Sequence, residues 1–280
     1  MTEPLAYHGE GPMWDVATRR LFSVDMLDGD LLALDTESGE TTRTHVHSVV
    51  ACVRPRGGGG YVLGVERGFA LMPADGDTPE ILPELWTDRG VRMNEGGCDP
   101  QGRFYCGSMA YDKAPGRGSV WRLDPDGTTS IVLTDVTISN GLVWSLDGVS
   151  AYYIDTPTRR VDVFDFDGDT GTFHDRRPVV EVPKGQGSPD GMTIDTEGGL
   201  WVAFYGASCV RRYRPDGELD LQIDLPVSNV TACTFGGANL DELYITTSRE
   251  GLDRDAEPQA GAIFRATPGA RGLPAATFAG

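Results

Sequence analysis

The sequence predicts an all-β protein: a six-bladed β-propeller with about four antiparallel strands per blade, forming a single domain over residues 1–280. Two observations carry this expectation. Short apolar runs recur at intervals of 40 to 49 residues, the size of a four-strand blade. These runs are rich in Val, Ile, Tyr, Phe and Trp and bounded by Gly and Asp, and no stretch shows sustained helical periodicity.

The runs begin at Leu21, Tyr61, Phe104, Ala151, Leu200 and Leu243, one for each blade. Tight turns precede several of them: Asp99-Pro100-Gln101-Gly102, Ser145-Leu146-Asp147-Gly148 and Asp195-Thr196-Glu197-Gly198. An acidic or Ser residue followed by Gly suits a hairpin that needs left-handed backbone angles. A further strand follows, as in Leu31-Leu32-Ala33-Leu34, Val120-Trp121-Arg122-Leu123 and Val210-Arg211-Arg212-Tyr213. The segments before the hairpins, such as Gly11-Pro12-Met13-Trp14 and Gly191-Met192-Thr193-Ile194, are the expected innermost strands. Six such units fill nearly the whole chain.

Composition narrows the partners. The formal net charge is −18, so no nucleic acid and no anionic membrane surface is expected to bind. No window approaches eighteen apolar residues, and Met1-Thr2-Glu3-Pro4 does not begin a signal peptide. The five cysteines, Cys52, Cys98, Cys106, Cys209 and Cys233, include no CxxC pair. A cytoplasmic monomer with reduced, buried thiols is expected.

Four polar residues share one register. Glu10, Asn94, Asn140 and Asp190 each stand ten or eleven positions before an apolar run. In a propeller that register falls at one mouth of the central channel, so the four side chains converge there. Two carboxylates and two amides at one point suit a hard divalent cation. The same register falls on Val50 and Ala232 in the second and sixth repeats, leaving the polar ring open.

These residues sit in motifs that resemble the SMP-30/gluconolactonase/luciferin-regenerating (regucalcin-like) family. The matching segments are Gly9-Glu10-Gly11-Pro12, Arg92-Met93-Asn94-Glu95-Gly96, Ser139-Asn140-Gly141-Leu142 and Pro189-Asp190-Gly191-Met192. The resemblance runs from about residue 9 to about residue 252. It implies a six-bladed propeller, which the spacing predicts independently. It also implies one divalent metal held by Glu10, Asn140 and Asp190, with Arg92 and Asn94 contacting substrate. An acidic substrate contact after Gly107-Ser108-Met109 would match Asp112, a shorter acid than the Glu of some relatives, which would suit a somewhat different sugar.

The implied activity is a metal-dependent sugar lactonase, a hydrolase that opens an aldonolactone of the gluconolactone, xylonolactone or arabinolactone type with metal-activated water. Oxygen ligation favours Ca²⁺, Mg²⁺ or Mn²⁺ over Zn²⁺ or Fe²⁺. Asp190 is the candidate general base, provided that burial raises its pKa. Arg92, a rigid planar donor, suits vicinal hydroxyls or an anionic substituent. Two alternatives stand beside this reading: a lactonase or phosphotriesterase acting on a non-sugar substrate, which an apolar pocket would favour, and a noncatalytic metal-binding propeller. Gly-x-Ser-x-Gly and HExxH are both absent. His45 and His47 read as a solvated pair on an outer strand, and Asp165-Phe166-Asp167-Gly168-Asp169 as an inter-strand turn.

Overall fold

A computed structural model of the chain describes residues 1–74, 76–253 and 255–280. Among these residues the strands form six antiparallel sheets, each a meander in chain order. The first blade holds β1 (Gly9–Asp15), β2 (Arg20–Asp25), β3 (Asp30–Leu34) and β4 (Thr41–His45). The second holds β5 (Val50–Pro55), β6 (Tyr61–Val65), β7 (Gly68–Met72) and β8 (Glu80–Ile81). The third holds β9 (Val91–Cys98), β10 (Phe104–Ala110), β11 (Gly118–Leu123) and β12 (Thr129–Val136). The fourth holds β13 (Ser139–Trp144), β14 (Ser150–Asp155), β15 (Arg160–Asp167) and β16 (Thr172–Glu181). The fifth holds β17 (Ser188–Ile194), β18 (Leu200–Tyr205), β19 (Cys209–Tyr213) and β20 (Leu219–Asp224). The sixth has three strands rather than four: β21 (Val230–Gly236), β22 (Glu242–Thr247) and β23 (Phe264–Ala266).

The innermost strands touch in a closed cycle, β1 to β5, β9, β13, β17, β21 and back to β1. This is a six-bladed β-propeller. The apolar runs of the sequence are the second strand of every blade. The burial gradient follows position: β1 and β9 are buried at every residue, whereas β4 and β20 on the rim are mostly exposed. No helix among the described residues is long and apolar enough to cross a membrane.

The recurring acidic turns have a mechanical role. Asp15, Asp99 and Asp195 occupy equivalent positions where an innermost strand ends. One carboxylate oxygen accepts turn N–H groups, from Ala17 at 2.9 Å, Gln101 at 3.0 Å and Glu197 at 2.9 Å. The other accepts an aromatic donor: Tyr61 hydroxyl at 2.9 Å, Tyr105 hydroxyl at 3.0 Å and Trp201 indole N–H at 2.8 Å. Each carboxylate therefore closes its hairpin and pins a large ring at the same time, which satisfies polar groups that burial would otherwise leave costly.

The core is six slabs, one between each pair of neighbouring blades, because each sheet is apolar on both faces. Met13, Phe22, Val53 and Leu63 fill the first interface, and Trp201, Val210, Phe235 and Ile245 the fifth. The smallest slab, Trp14, Leu21, Leu34, Tyr244 and Ile263, joins the sixth blade to the first. Trp14 and Tyr244 stack there with centroids 5.7 Å apart. Backbone bonds reinforce this seam, from Thr2 N–H to Ile263 O at 3.0 Å and from Leu5 N–H to Gly261 O at 2.9 Å. Residues after β23 form a strap across the far end of the channel. It bonds Thr196 through Arg271 O at 2.8 Å, and Pro55 O through Phe278 N–H at 2.8 Å. All five cysteines are free and buried.

Candidate active site

Every innermost strand carries a β-bulge, and the bulges fall at one level. Register shifts lie between Glu10 and Met13, Val50 and Cys52, Ser139 and Leu142, Pro189 and Met192, and Val230 and Ala232. In β9 the pairing jumps from Glu95 to Met93, leaving Asn94 as the extra residue. A bulge re-aims a side chain out of the pleat, here toward the channel axis. The residues at this level are Glu10, Ala51, Asn94, Asn140, Asp190 and Thr231; Glu10 itself pairs with Val24, and the bulge in β1 falls on Gly11 and Pro12. The level in the second and sixth blades is thus set by Ala51 and Thr231, not by Val50 and Ala232, since a bulge adds one residue that a fixed count misses. The sixth position is polar: the Thr231 hydroxyl donates to Gly9 O at 2.6 Å, which ties this blade to β1.

Glycine follows three of these residues because the backbone is crowded. Gly11 has φ +50°, in the left-handed region. A Cβ on Gly191 would lie 2.4 Å from Ala232 Cβ and 2.9 Å from Glu95 Oε2. Carboxylates at the ends of second strands steady the approach to the bulges. Asp25 accepts the Tyr7 and His8 N–H groups at 3.0 Å, two residues before Glu10. Asp155 accepts the Ile138 N–H at 2.9 Å, two residues before Asn140.

A chain of hydrogen bonds links three blades at the bulge level. Arg92 donates to Asn94 Oδ1 at 2.7 Å. Asn94 Nδ2 donates to Ser139 O at 2.7 Å and to Asn140 Oδ1 at 3.3 Å. Asn140 Nδ2 donates to Thr156 Oγ1 at 2.7 Å, and Thr156 donates to Pro189 O at 2.8 Å. Thr156 thereby turns the Asn140 carbonyl oxygen inward with a lone pair to spare. The Asn94 carbonyl oxygen is occupied by Arg92.

The electrostatics at this level suit a cation. Burial, then Asp190, then Glu95 hold Glu10 well above the usual carboxylate range. Burial, then Glu95, do the same to Asp190. Burial pushes Glu95 up to about 7, with Arg54 opposing. Like charges gathered away from water favour proton or metal binding. Among the described residues Glu10 accepts only the N–H of Gly11, at 3.1 Å. Among the described residues no three His, Cys, Asp or Glu side chains form a metal-holding group. The donor set that fits a divalent ion is therefore mixed: the carboxylates of Glu10 and Asp190 with the amide oxygen of Asn140, all buried. All-oxygen donors fit a hard cation.

Glu10, Arg92, Asn94, Asn140 and Asp190 line one cavity of about 180 Å³. Asp112 does not: its carboxylate faces outward, 3.7 Å from Arg117, and its Oδ1 accepts the Ala114 N–H at 3.0 Å. Its neighbour Lys113 lines the cavity instead, along with His8, Thr156 and Glu250. His8 Nδ1 lies 2.7 Å from Ser248 Oγ and 3.7 Å from Glu250. Burial, then Arg92 and Lys113, lower its pKa to about 3, so His8 and Glu250 do not form an ion pair at neutral pH. A larger cavity, about 280 Å³, occupies the opposite end of the channel under strap residues Leu273–Ala276. Glu95 reaches it, and Glu95 Oε2 has no hydrogen-bond partner. Sequence reading gave no role to Glu95, Lys113, Thr156 or Glu250. Glu95 and Thr156 stood inside recognised motifs, Arg92-Met93-Asn94-Glu95-Gly96 and Tyr152-Tyr153-Ile154-Asp155-Thr156; Lys113 and Glu250 lie in loops, outside the repeat register.

A family model of the SMP-30/gluconolactonase/LRE-like region matches residues 8–249. Regucalcin of Gallus gallus is 37% identical over 283 residues, covering 97% of this chain and 95% of its own. The crystal structure of a calcium-binding protein, regucalcin, from Agrobacterium tumefaciens superposes with a TM-score of 0.93 at 26% identity, covering 99% of this chain and 95% of its own. A gluconolactonase from Xanthomonas campestris gives a TM-score of 0.71 at 25% identity, covering 87% and 84%. With the propeller, the bulge-level residues and these matches together, the chain belongs to the SMP-30/gluconolactonase/LRE-like family.

Proposed function

We propose that this protein is a metal-dependent lactonase that hydrolyses a sugar lactone to the open acid. The observation that supports it best is the cavity over Glu10, Asn140 and Asp190. Three buried oxygen donors meet there beside Arg92 and a largely polar wall in which Met109 and Ile138 are the aliphatic members. A hydroxylated substrate suits that wall better than an apolar ester. The relatives include a protein described as a gluconolactonase and one described as calcium-binding, in line with the same reading.

A lactone is an internal ester. Opening it requires water to add to the carbonyl carbon, the oxyanion to be stabilised and the ring C–O bond to break. A divalent ion held by Glu10, Asn140 and Asp190 would supply Lewis acidity toward the carbonyl and lower the pKa of water. Asp190 is the group that, in this reading, takes the proton of the attacking water and returns it to the departing ring oxygen, so that protons balance over the cycle. Burial and Glu95 raise its pKa in the metal-free site; a bound ion would offset that rise, and its lowering of the water pKa is what would make the transfer to Asp190 favourable. Arg92, fixed by its bond to Asn94, presents its remaining donors to substrate oxygens.

The test is turnover of a panel of aldonolactones, with and without chelator. Hydrolysis that chelator removes and added Ca²⁺ or Mn²⁺ restores is the expected result. Metal uptake with no turnover of any lactone would favour a noncatalytic metal-binding propeller. Chelator-insensitive hydrolysis would place the chemistry elsewhere.

A further inference from the structure

We propose that the lactone taken by this site carries an anionic oxygen group, a carboxylate or phosphate on the sugar, which Lys113 and Arg92 hold together. This deepens the lactonase reading and rests on it.

Both cations line the same 180 Å³ cavity. Neither forms an ion pair among the described residues, in a chain with 42 acidic and 24 basic side chains. About half of the cations are held by carboxylates; Arg212 alone meets Asp195, Glu197 and Asp220. Arg54, Arg56, Arg159 and Arg249, which also lack an ion pair, are held by backbone carbonyls, whereas the Lys113 ammonium has no hydrogen bond among the described residues and shares its cavity with Arg92. Arg92 is 6% exposed, and its Nε is buried without a hydrogen-bond partner. Its Nη1 donates to Met93 O at 3.0 Å and Asn94 Oδ1 at 2.7 Å, which leaves Nη2 without a hydrogen bond among the described residues.

The local backbone aims Lys113 inward. Its N–H bonds Ala110 O at 2.9 Å, and its φ is 59°. Left-handed backbone is uncommon for a residue with a Cβ. Asp112 holds the turn from outside by accepting the Ala114 N–H and facing Arg117, which itself donates to Asp88 at 2.6 Å. Asp112 is thus a positioning residue for Lys113 rather than a substrate contact.

The charges left over favour an anion. Glu10 and Asp190 are committed to the divalent ion, which offsets both. Arg92 and Lys113 then face a single further carboxylate, Glu250. Arg92 is planar and suits two oxygens of one group, and Lys113 adds a mobile point charge. The protein's net charge of −18 repels anions at long range, so the discrimination must come from these two close cations.

The test compares kcat/KM on gluconolactone, glucarolactone and phosphogluconolactone for the metal-loaded wild type and Lys113→Gln. Binding of gluconate, glucarate and phosphogluconate is measured by calorimetry alongside. The wild type is expected to prefer an anionic lactone over the neutral one by about tenfold or more, in line with one charge-assisted contact. Lys113→Gln should reduce that ratio about tenfold, mainly through KM, and Lys113→Arg should restore it. The two anionic probes distinguish carboxylate from phosphate. Equal kcat/KM for neutral and anionic lactones, or an unchanged ratio in Lys113→Gln, overturns the inference and leaves the lactonase reading standing. No turnover of any lactone overturns the lactonase reading. The calorimetry still decides about Lys113 in that case, since it predicts weaker glucarate or phosphogluconate binding in the variant.

Discussion

Asn140 shows how one residue's chemistry depends on its neighbours. Its amide nitrogen is taken by Thr156 and its oxygen is shared with Asn94, so one lone pair remains for a cation. Glu95 sits deeper and is the one carboxylate at this level whose Oε2 is buried and unpartnered. Burial pushes its pKa in the folded protein up to about 7, above the ordinary glutamate range. The folded state then holds a proton that the unfolded state has released, so stability falls as pH rises through that window. In metal-free protein, Glu95→Gln should match the wild type near about pH 4.5 and exceed it by on the order of 3 kcal/mol near about pH 8. Urea denaturation across that range reads the difference, and parallel curves for the two proteins would contradict it. Glu10, Asn94, Asn140 and Asp190 were legible in the sequence because they share a repeat register. Lys113 and Glu250 were not, since they stand in loops where no periodicity marks them and only the folded backbone brings them to the cavity.

The element that builds the site is the bulge, repeated in all six innermost strands. The second strands could be placed from the sequence because their apolar runs are long enough to stand out. The bulges could not, since an extra residue leaves no trace in composition. That is why the level in the sixth blade falls on Thr231 rather than Ala232. The three-strand sixth sheet was also hidden: β23 is only Phe264–Ala266, and no fourth strand follows it in that sheet. Its seam with the first blade is the smallest of the six cores and depends on the Trp14–Tyr244 stack. Trp14→Ala is expected to cost about 3–5 kcal/mol, the usual range for emptying a buried aromatic site. Chemical denaturation measures this, and a loss below about 1 kcal/mol would show that the N-terminal backbone bonds hold the seam without the ring.

At the scale of the whole molecule, the closed ring of strands makes one channel with a cavity at each end. The strap covers the far end, and Glu10, Asn94, Asn140 and Asp190 line the near one. Residues from the first, third, fourth and fifth blades meet at the near mouth, so the site exists only when the ring is closed. A metal held there would therefore be coupled to folding, since residues so far apart in sequence are not assembled in the unfolded chain. The most direct test of the central claim is to strip the protein with chelator and titrate Ca²⁺ or Mn²⁺ back while following both metal binding and aldonolactone hydrolysis. Activity should return in proportion to bound metal and saturate at one ion per chain, with Asp190→Ala folded yet neither binding tightly nor turning over. Full hydrolysis by the stripped protein, or by Asp190→Ala, would contradict it.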